Sequence, residues 1–232
     1  MNETVVNDTP GPSTRTKKTY DAAKTKETIL DAAEQIFAEQ GYSAARVDAI
    51  AKASGYNKSL IYQYFQDKIG LYTEVVKRAD QLGDRVLSEV VGKLQMDESL
   101  TTDATKFKRY ITTIVTHSFQ FLMDHPRFMK IFAWEAAEEW KTWNQITYRP
   151  DDTTLFLEIA KKAKDNGLLR SDLDPTFFPL FLMNNVFFST LTLTRFKSFG
   201  IGMESHTEQD IELAKEQTAS FVINGLMHPS HL

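Results

Sequence analysis

The 232-residue chain contains no cysteine. That excludes disulfides, thiol nucleophiles and thiolate metal sites, and it fits a reducing compartment. Nowhere do about 18 consecutive apolar residues occur, the least that a membrane-spanning helix needs. The opening stretch MNETVVNDTPGPSTRTKKTY has no apolar segment of signal-peptide length. A cytoplasmic protein with no membrane partner is the expectation. Several chemistries are missing as well. No Glu-x-x-His spacing is present for a helical di-metal site, because Glu135, Glu138 and Glu139 have no histidine three residues on. There is no phosphate loop, dinucleotide fingerprint or serine nucleophile elbow. A non-enzyme without cofactor or metal is expected.

Charge of one sign is also lacking, with 27 basic against 31 acidic residues. The molecule as a whole is no polycation, so any nucleic-acid footprint must be local. It is local in the stretch from Arg46 to Lys68. Four basic residues (Arg46, Lys52, Lys58, Lys68) face two acidic ones (Asp48, Asp67) there, a balance of +2 that leaves −6 for the remainder.

The hydrophobic content of 42% supports a sizeable core, and its spacing is helical throughout. Residues 1 to 20 are rich in Thr, Pro, Gly and Asn and read as a disordered tail. From Thr25, the positions Ile29, Ala32, Ala33, Ile36 and Phe37 recur at helical spacing up to Gly41. A short helix around Val47–Ala51 follows, then Gly55 as a turn, Asn57 as an N-cap and a helix over Lys58–Phe65. A long helix runs from Lys68 to about Leu94, and further helices are predicted at about 103–124, 126–145, 153–166, 175–196 and 207–227. With no strand pattern and no internal repeat, the class is all-α. The predicted organisation is a tail over 1–20, an N-terminal three-helix unit with a helix-turn-helix over 21–70, and a larger helical unit over 71–232 joined to it by the long helix.

Two short helices about a glycine turn make a helix-turn-helix, whose second helix fits the major groove. The segment KETILDAAEQIFAEQGYSAARVDAIAKASGYNKSLIYQYFQDKIGLY, Lys26 to Tyr72, closely resembles the DNA-binding domain of the TetR (tetracycline repressor) family of bacterial transcription regulators. By position, the resemblance implies that Lys58, Ser59, Leu60, Tyr62 and Gln63 face DNA. It implies that Tyr62 and Lys68 reach phosphates and that Arg46 sits near the backbone at the start of the second helix. This chain departs from the family where Ala45 and Arg46 stand for the usual Thr or Ser, and where Leu60 replaces a frequent Thr. The basic residues Arg15, Lys17, Lys18, Lys24 and Lys26 read either as an arm on DNA or as a solvated tail.

Beyond Gln66 lie 14 of the 16 phenylalanines and all three tryptophans. Tyr110, Ile114, His117 and Phe121 share one helical stripe, and Phe128, Phe132, Glu135 and Glu139 another. A mainly aromatic pocket between helices would account for both stripes. With Phe181 and Asn184 from the 175–196 helix, Tyr110, His117, Phe121, Phe128, Phe132 and Glu135 are the expected ligand contacts. The resemblance likewise implies a small effector, apolar or aromatic here. The 175–196 helix is apolar almost all round, and the 207–227 helix carries Ile211, Ala214, Thr218, Val222 and Gly225 in register. These two are expected to form a homodimer interface. The reading is a homodimeric repressor released from a palindromic double-stranded DNA operator by its effector. Two others stay open: a TetR-fold DNA-binding protein without an effector, and a helical ligand-binding protein with an inactive DNA domain.

Overall fold

The computed structural model describes residues 14–145, 152–197 and 207–232, and among them the regular structure is helical apart from one isolated bridge. Helix α1 spans Thr14–Ala44, α2 Val47–Ser54, α3 Lys58–Phe65, α4 Lys68–Gln95 and α5 Ala104–Asp124. Then come α6, Pro126–Ala137, a 3-10 turn Trp143–Gln145, α7 Asp152–Asp165, α8 Phe177–Lys197, α9 Glu208–Leu226 and a final 3-10 turn Pro229–His231. No helix among the described residues is long and apolar enough to cross a membrane.

Helix starts follow the local chemistry. The Asp103 carboxylate accepts from the backbone N–H groups of Thr105 and Lys106 at 2.8 and 3.0 Å, closing the first turn of α5. Thr207 and Asp210 form a reciprocal capping box at α9. Pro126 opens α6, where its missing N–H removes nothing from the helix ladder. Gly41 interrupts α1 with φ 72°, where the sequence predicts an end.

Two boundaries differ from the sequence-based expectation. Helix α1 extends back to Thr14, into the predicted tail, while residues 1–13 lie outside the described residues. Helix α6 stops at Ala137 rather than near 145, because Glu139 and Trp140 both take left-handed φ of 60° and turn the chain back on itself.

The buried residues form two cores. The first gathers Ile29, Ala33 and Phe37 of α1, Ile50 of α2, Ile61 and Phe65 of α3, and Leu71, Tyr72 and Val75 of α4, with Ile131 of α6 added. The second is built from Phe107, Ile111 and Phe119 of α5, Phe178, Leu182 and Val186 of α8, and Val222, Ile223 and Leu226 of α9. Each Val, Leu, Ile or Phe among them contributes about 1.5–3 kcal/mol when fully buried. Helix α4 belongs to both: Leu71, Tyr72, Val75 and Val76 lie in the first core and Val91 in the second. At about 1.5 Å per residue its 28 residues reach about 42 Å. Within the first unit, Arg78 of α4 fastens that helix to α1, its guanidinium pairing with Glu27, Asp31 and Glu34.

Leu169 and Met227 make an antiparallel bridge, flanked by Arg170 N–H to Leu226 C=O at 3.0 Å and His228 N–H to Leu168 C=O at 2.8 Å. These bonds pin the end of α9 to the segment that leads into α8.

Candidate nucleic-acid interface and aromatic cluster

The turn between α2 and α3 shows why its residues are of these types. Gly55 sits at φ 77°, a left-handed conformation that costs glycine little, and its N–H closes α2 on Ala51 C=O. The chain then passes Tyr56 to Asn57, whose side chain accepts from Leu60 N–H at 2.8 Å and starts α3. With Ile61 and Phe65 directed into the first core, the opposite face of α3 presents Lys58, Ser59, Tyr62 and Gln63 to solvent, while Leu60 is half-buried. At the far end, a Cβ on Gly70 would lie 2.1 Å from the Phe65 carbonyl oxygen. Only glycine lets α4 start so close to the end of α3.

The charges around α3 have definite partners. Lys58 pairs with Asp48 of α2 at 3.1 Å, and that hydrogen bond, followed by the charge of Asp48, raises its pKa. Its ammonium also lies 6.0 Å from the centre of the Tyr62 ring. Lys68 is half-buried at the start of α4, its Nζ 4.4 Å above the Tyr42 ring and donating to Ser43 C=O at 3.4 Å. Burial holds its pKa below the usual lysine value, against an opposing pull from Glu138. Arg46 occupies the N-cap of α2, exposed, with no side-chain cap bond. Ala45 beside it is buried.

Residues 29–75 match the profile described as bacterial regulatory proteins, tetR family. The chain carries a tetR-family DNA-binding domain there. It is 22% identical over 171 residues to the HTH-type transcriptional repressor NicS of Pseudomonas putida, covering 72% of this chain and 76% of that protein. It is 40% identical over 59 residues to the HTH-type transcriptional repressor BepR of Brucella suis, 25% of this chain and 28% of that one. Among solved structures, a putative transcriptional regulator of Streptomyces coelicolor, SCO4942, superposes with a TM-score of 0.61 at 18% identity, covering 87% of this chain and 98% of that chain. Strong sequence likeness is thus concentrated in the DNA-binding domain, and the helical fold extends it over most of the chain. A tetR-family domain at residues 29–75 is the module by which transcription regulators of that family bind DNA.

The eight residues expected at an effector pocket fall into separate groups. Phe121, Phe128 and Phe132 make a continuous series, with ring centres 6.0 and 6.2 Å apart. His117 is half-buried on α5, one turn ahead of Phe121. Tyr110 stacks on Phe107 inside the second core and accepts a 3.3 Å hydrogen bond from Gln95, and burial pushes its pKa up to about 12. Three residues stand away from the ring series. Glu135 is 2% exposed and turned toward the first core. One of its oxygens accepts from Tyr72 OH at 2.6 Å and the other from Trp143 N–H at 2.9 Å. Phe181 and Asn184 lie on the exposed side of α8, Phe181 stacked on Phe177 at 5.7 Å. An apolar pattern around the whole of α8 does not say which side faces inward, and the buried side is that of Phe178, Leu182 and Val186.

The ring series instead recruits residues that the helical stripes did not connect. Phe132 meets Trp140 at 4.8 Å, Phe187 at 4.5 Å and Trp143 at 6.0 Å, while His125 lies against Phe121 at 4.6 Å. Both tryptophans arrive there because of the left-handed corner at Glu139–Trp140. Neither glutamate nor tryptophan marks such a corner in a sequence, so only the i, i+3 tryptophan pair hinted at it.

Helix α6 thus serves two environments. Phe128 and Phe132 pack on the second core, whereas Ile131 and Glu135 meet the first. Trp134 Nε1 donates to Ala38 C=O at 3.3 Å and Ser43 Oγ donates to Glu138 at 2.7 Å, tying α6 along α1.

Proposed function

We propose that this regulator is a homodimeric repressor that reads a palindromic operator through α3 and leaves it when a small apolar or aromatic effector enters the ring series on α6. The observation that carries the proposal is the double role of α6. Rings on one side of it meet Trp140, Trp143 and Phe187, and Glu135 on the other holds Tyr72, one turn after the start of α4 and close behind α3. A ligand that re-packs the rings acts on a helix already bonded to the DNA-reading core. Its energy counts only as a difference between the two states, and reversing a 99:1 population takes about 5.5 kcal/mol.

Dimerisation rests on the outer side of α8 and α9. Phe177, Leu180, Phe181, Met183 and Phe188 of α8, with Leu213 and Phe221 of α9, are all exposed in the single chain. An apolar patch of this kind marks an interaction surface. The interfacial side of α9 is then that of Leu213 and Phe221. The stripe through Val222 lies in the second core, a correction to the register expected from small residues alone.

The experiment has two stages. Selection from a random duplex pool should return a palindrome bound by a dimer, with half-sites about one helical turn apart, roughly 34–36 Å. An aromatic probe such as anilinonaphthalene sulfonate should then alter the tryptophan fluorescence and lower affinity for that duplex. Binding of the probe with unchanged operator affinity would reject the switching part. Failure to select any duplex would reject operator recognition.

A further inference from the structure

We infer that Glu138, the residue that closes α6, is a positioning residue for DNA binding: through Ser43 it holds the bend of α1 on which the Lys68 ammonium rests, and so sets a phosphate contact at the start of α4. The inference rests on the reading of α3 as the operator helix, and it adds to that surface a residue from the ring-bearing helix.

The bend itself explains why α6 can hold it. Gly41 takes φ 72° and ψ 169°, a region open in practice only to glycine, and Ala45 N–H closes the turn on Gly41 C=O at 3.2 Å. Helix α6 covers this glycine so closely that a Cβ there would lie 3.0 Å from the Trp134 ring. Four residues further along α6, the Glu138 carboxylate accepts from the Ser43 hydroxyl at 2.7 Å. Trp134 and Glu138 stand about one helical turn apart, so they grip the bend from one face of α6.

Helix α4 meets the same bend through another such pair. The Lys68 ammonium lies 4.4 Å from the centre of the Tyr42 ring and donates to Ser43 C=O at 3.4 Å, and the Tyr72 ring is 5.0 Å from that of Tyr42. Ser43 therefore joins the two helices by itself: its hydroxyl goes to Glu138 and its carbonyl to Lys68. A carbonyl at this length and a ring face hold an ammonium weakly compared with the charge-assisted bond that a phosphate offers. Lys68 is thus placed without being used up. A lysine free in solvent loses rotamer freedom when it takes a phosphate, whereas one already laid along the bend has lost it beforehand. The Glu138 charge acts on Lys68 as well, opposing the fall in its pKa that burial causes. Lys68 begins α4 three residues after Phe65 ends α3, so its cation lies beside the helix that reads the groove. Glu138 in turn immediately precedes the left-handed corner that carries Trp140 against Phe132, which links the ring series to this lysine.

The test uses the full-length chain, a duplex selected from a random pool and an unrelated duplex of equal length, with affinity measured across a salt series. Lys68→Ala should lower the slope of log affinity against log salt by about 0.9 on both duplexes, since a phosphate contact carries no sequence information. Ser43→Ala changes no charge and alters an exposed residue, so thermal melting should stay as in the wild type. It should nevertheless weaken binding to both duplexes by about two- to fivefold, the lower range of couplings between contacting residues, and Ser43→Thr should restore it. Glu138→Ala should weaken binding similarly when compared with Glu139→Ala, which removes the same charge from an exposed neighbour. In the Lys68→Ala background, neither Ser43→Ala nor the difference between the two glutamate variants should have any further effect. Losses that persist in that background would mean that Ser43 or Glu138 acts on DNA without Lys68, and would overturn the inference. Unchanged affinity in Ser43→Ala, or an unchanged salt slope in Lys68→Ala, would also overturn it, while weaker binding by Tyr62→Ala would leave operator reading by α3 intact. A wild type that binds neither duplex would overturn both.

Discussion

Tyr72 and Glu135, 63 positions apart in the chain, share a 2.6 Å hydrogen bond at the seam between the two cores. The phenol belongs to α4, close behind the recognition helix, and the carboxylate to α6, beneath the ring series. Because both groups are buried, neither has water as an alternative partner, and separating them leaves an acceptor unsatisfied.

Tyr72→Phe should therefore destabilise the chain by about 1.5–3 kcal/mol, the usual range for a hydrogen bond to a charged group. A pH signature accompanies the loss. Burial first, and then the bond to Glu135, raise the Tyr72 pKa above its ordinary 10.0. Above that value the unfolded chain has released a proton that the folded chain retains, so stability falls as pH rises, by about 1.4 kcal/mol per unit for each such group. Tyr110 adds to the fall in the same direction. Urea unfolding between about pH 9 and 11 should show a shallower decline in Tyr72→Phe than in the wild type. Equal declines would mean that Tyr72 ionises in the folded chain as it does in the unfolded one.

The DNA-reading unit was legible in the sequence because its punctuation is local. Gly55, Asn57 and the apolar positions Ile50, Ile61 and Phe65 each act within a few residues, and each sits where its type predicts. The ring series was legible only in part. Phe121, Phe128 and Phe132 share helical register, but Trp140 and Trp143 join them through a backbone reversal that no glycine or asparagine announces. The inner side of α8 was hidden for another reason: phenylalanines surround it, so only packing against α5 and α9 selects Phe178 over Phe181. Glu135 read as a ligand contact since carboxylates that extend an aromatic stripe ask for partners, and its partner is 63 residues upstream.

At the DNA face, Asp48→Asn should strengthen binding. Asp48 holds Lys58 at 3.1 Å and is itself a negative charge on the surface expected to meet phosphates. An exposed pair of this kind contributes little to stability, so the fold should be unaffected. Affinity for a selected duplex should rise several-fold at low salt, and the gain should shrink as screening shortens the range of the charges. Weaker binding by Asp48→Asn would show that the pair positions Lys58 for DNA instead of withholding it.

On α9, neighbouring residues should give opposite phenotypes. Phe221 is 68% exposed and Val222 is 2% exposed. Phe221→Glu should yield a folded monomer that fails on a palindrome, because it charges the proposed interface and leaves the second core intact. Val222→Glu buries a carboxylate without a partner and should unfold the larger domain. Sedimentation and thermal melting distinguish the two, and a full dimer in Phe221→Glu would move the interface away from this side of α9.

The corner after α6 offers a gain of stability. Glu139 and Trp140 both lie at φ 60°, where a side chain other than glycine costs of order 1–3 kcal/mol. Glu139 is exposed, and its ion pair with Lys141 at 3.1 Å is a surface pair of small worth. Glycine there removes the left-handed cost but loosens the unfolded chain by about 0.4–1 kcal/mol. Glu139→Gly should consequently stabilise the chain by about 0–2.5 kcal/mol, after Lys141→Ala has measured the ion pair separately. Trp140→Gly relaxes the same geometry at the next residue but deletes a ring packed 4.8 Å from Phe132, so it should destabilise instead. In Glu139→Gly, tryptophan fluorescence should match the wild type, because the corner retains its shape and Trp140 stays against Phe132. Lower stability in Glu139→Gly, together with altered fluorescence, would mean that the glutamate side chain itself holds the corner and that the left-handed backbone there carries no cost for glycine to remove.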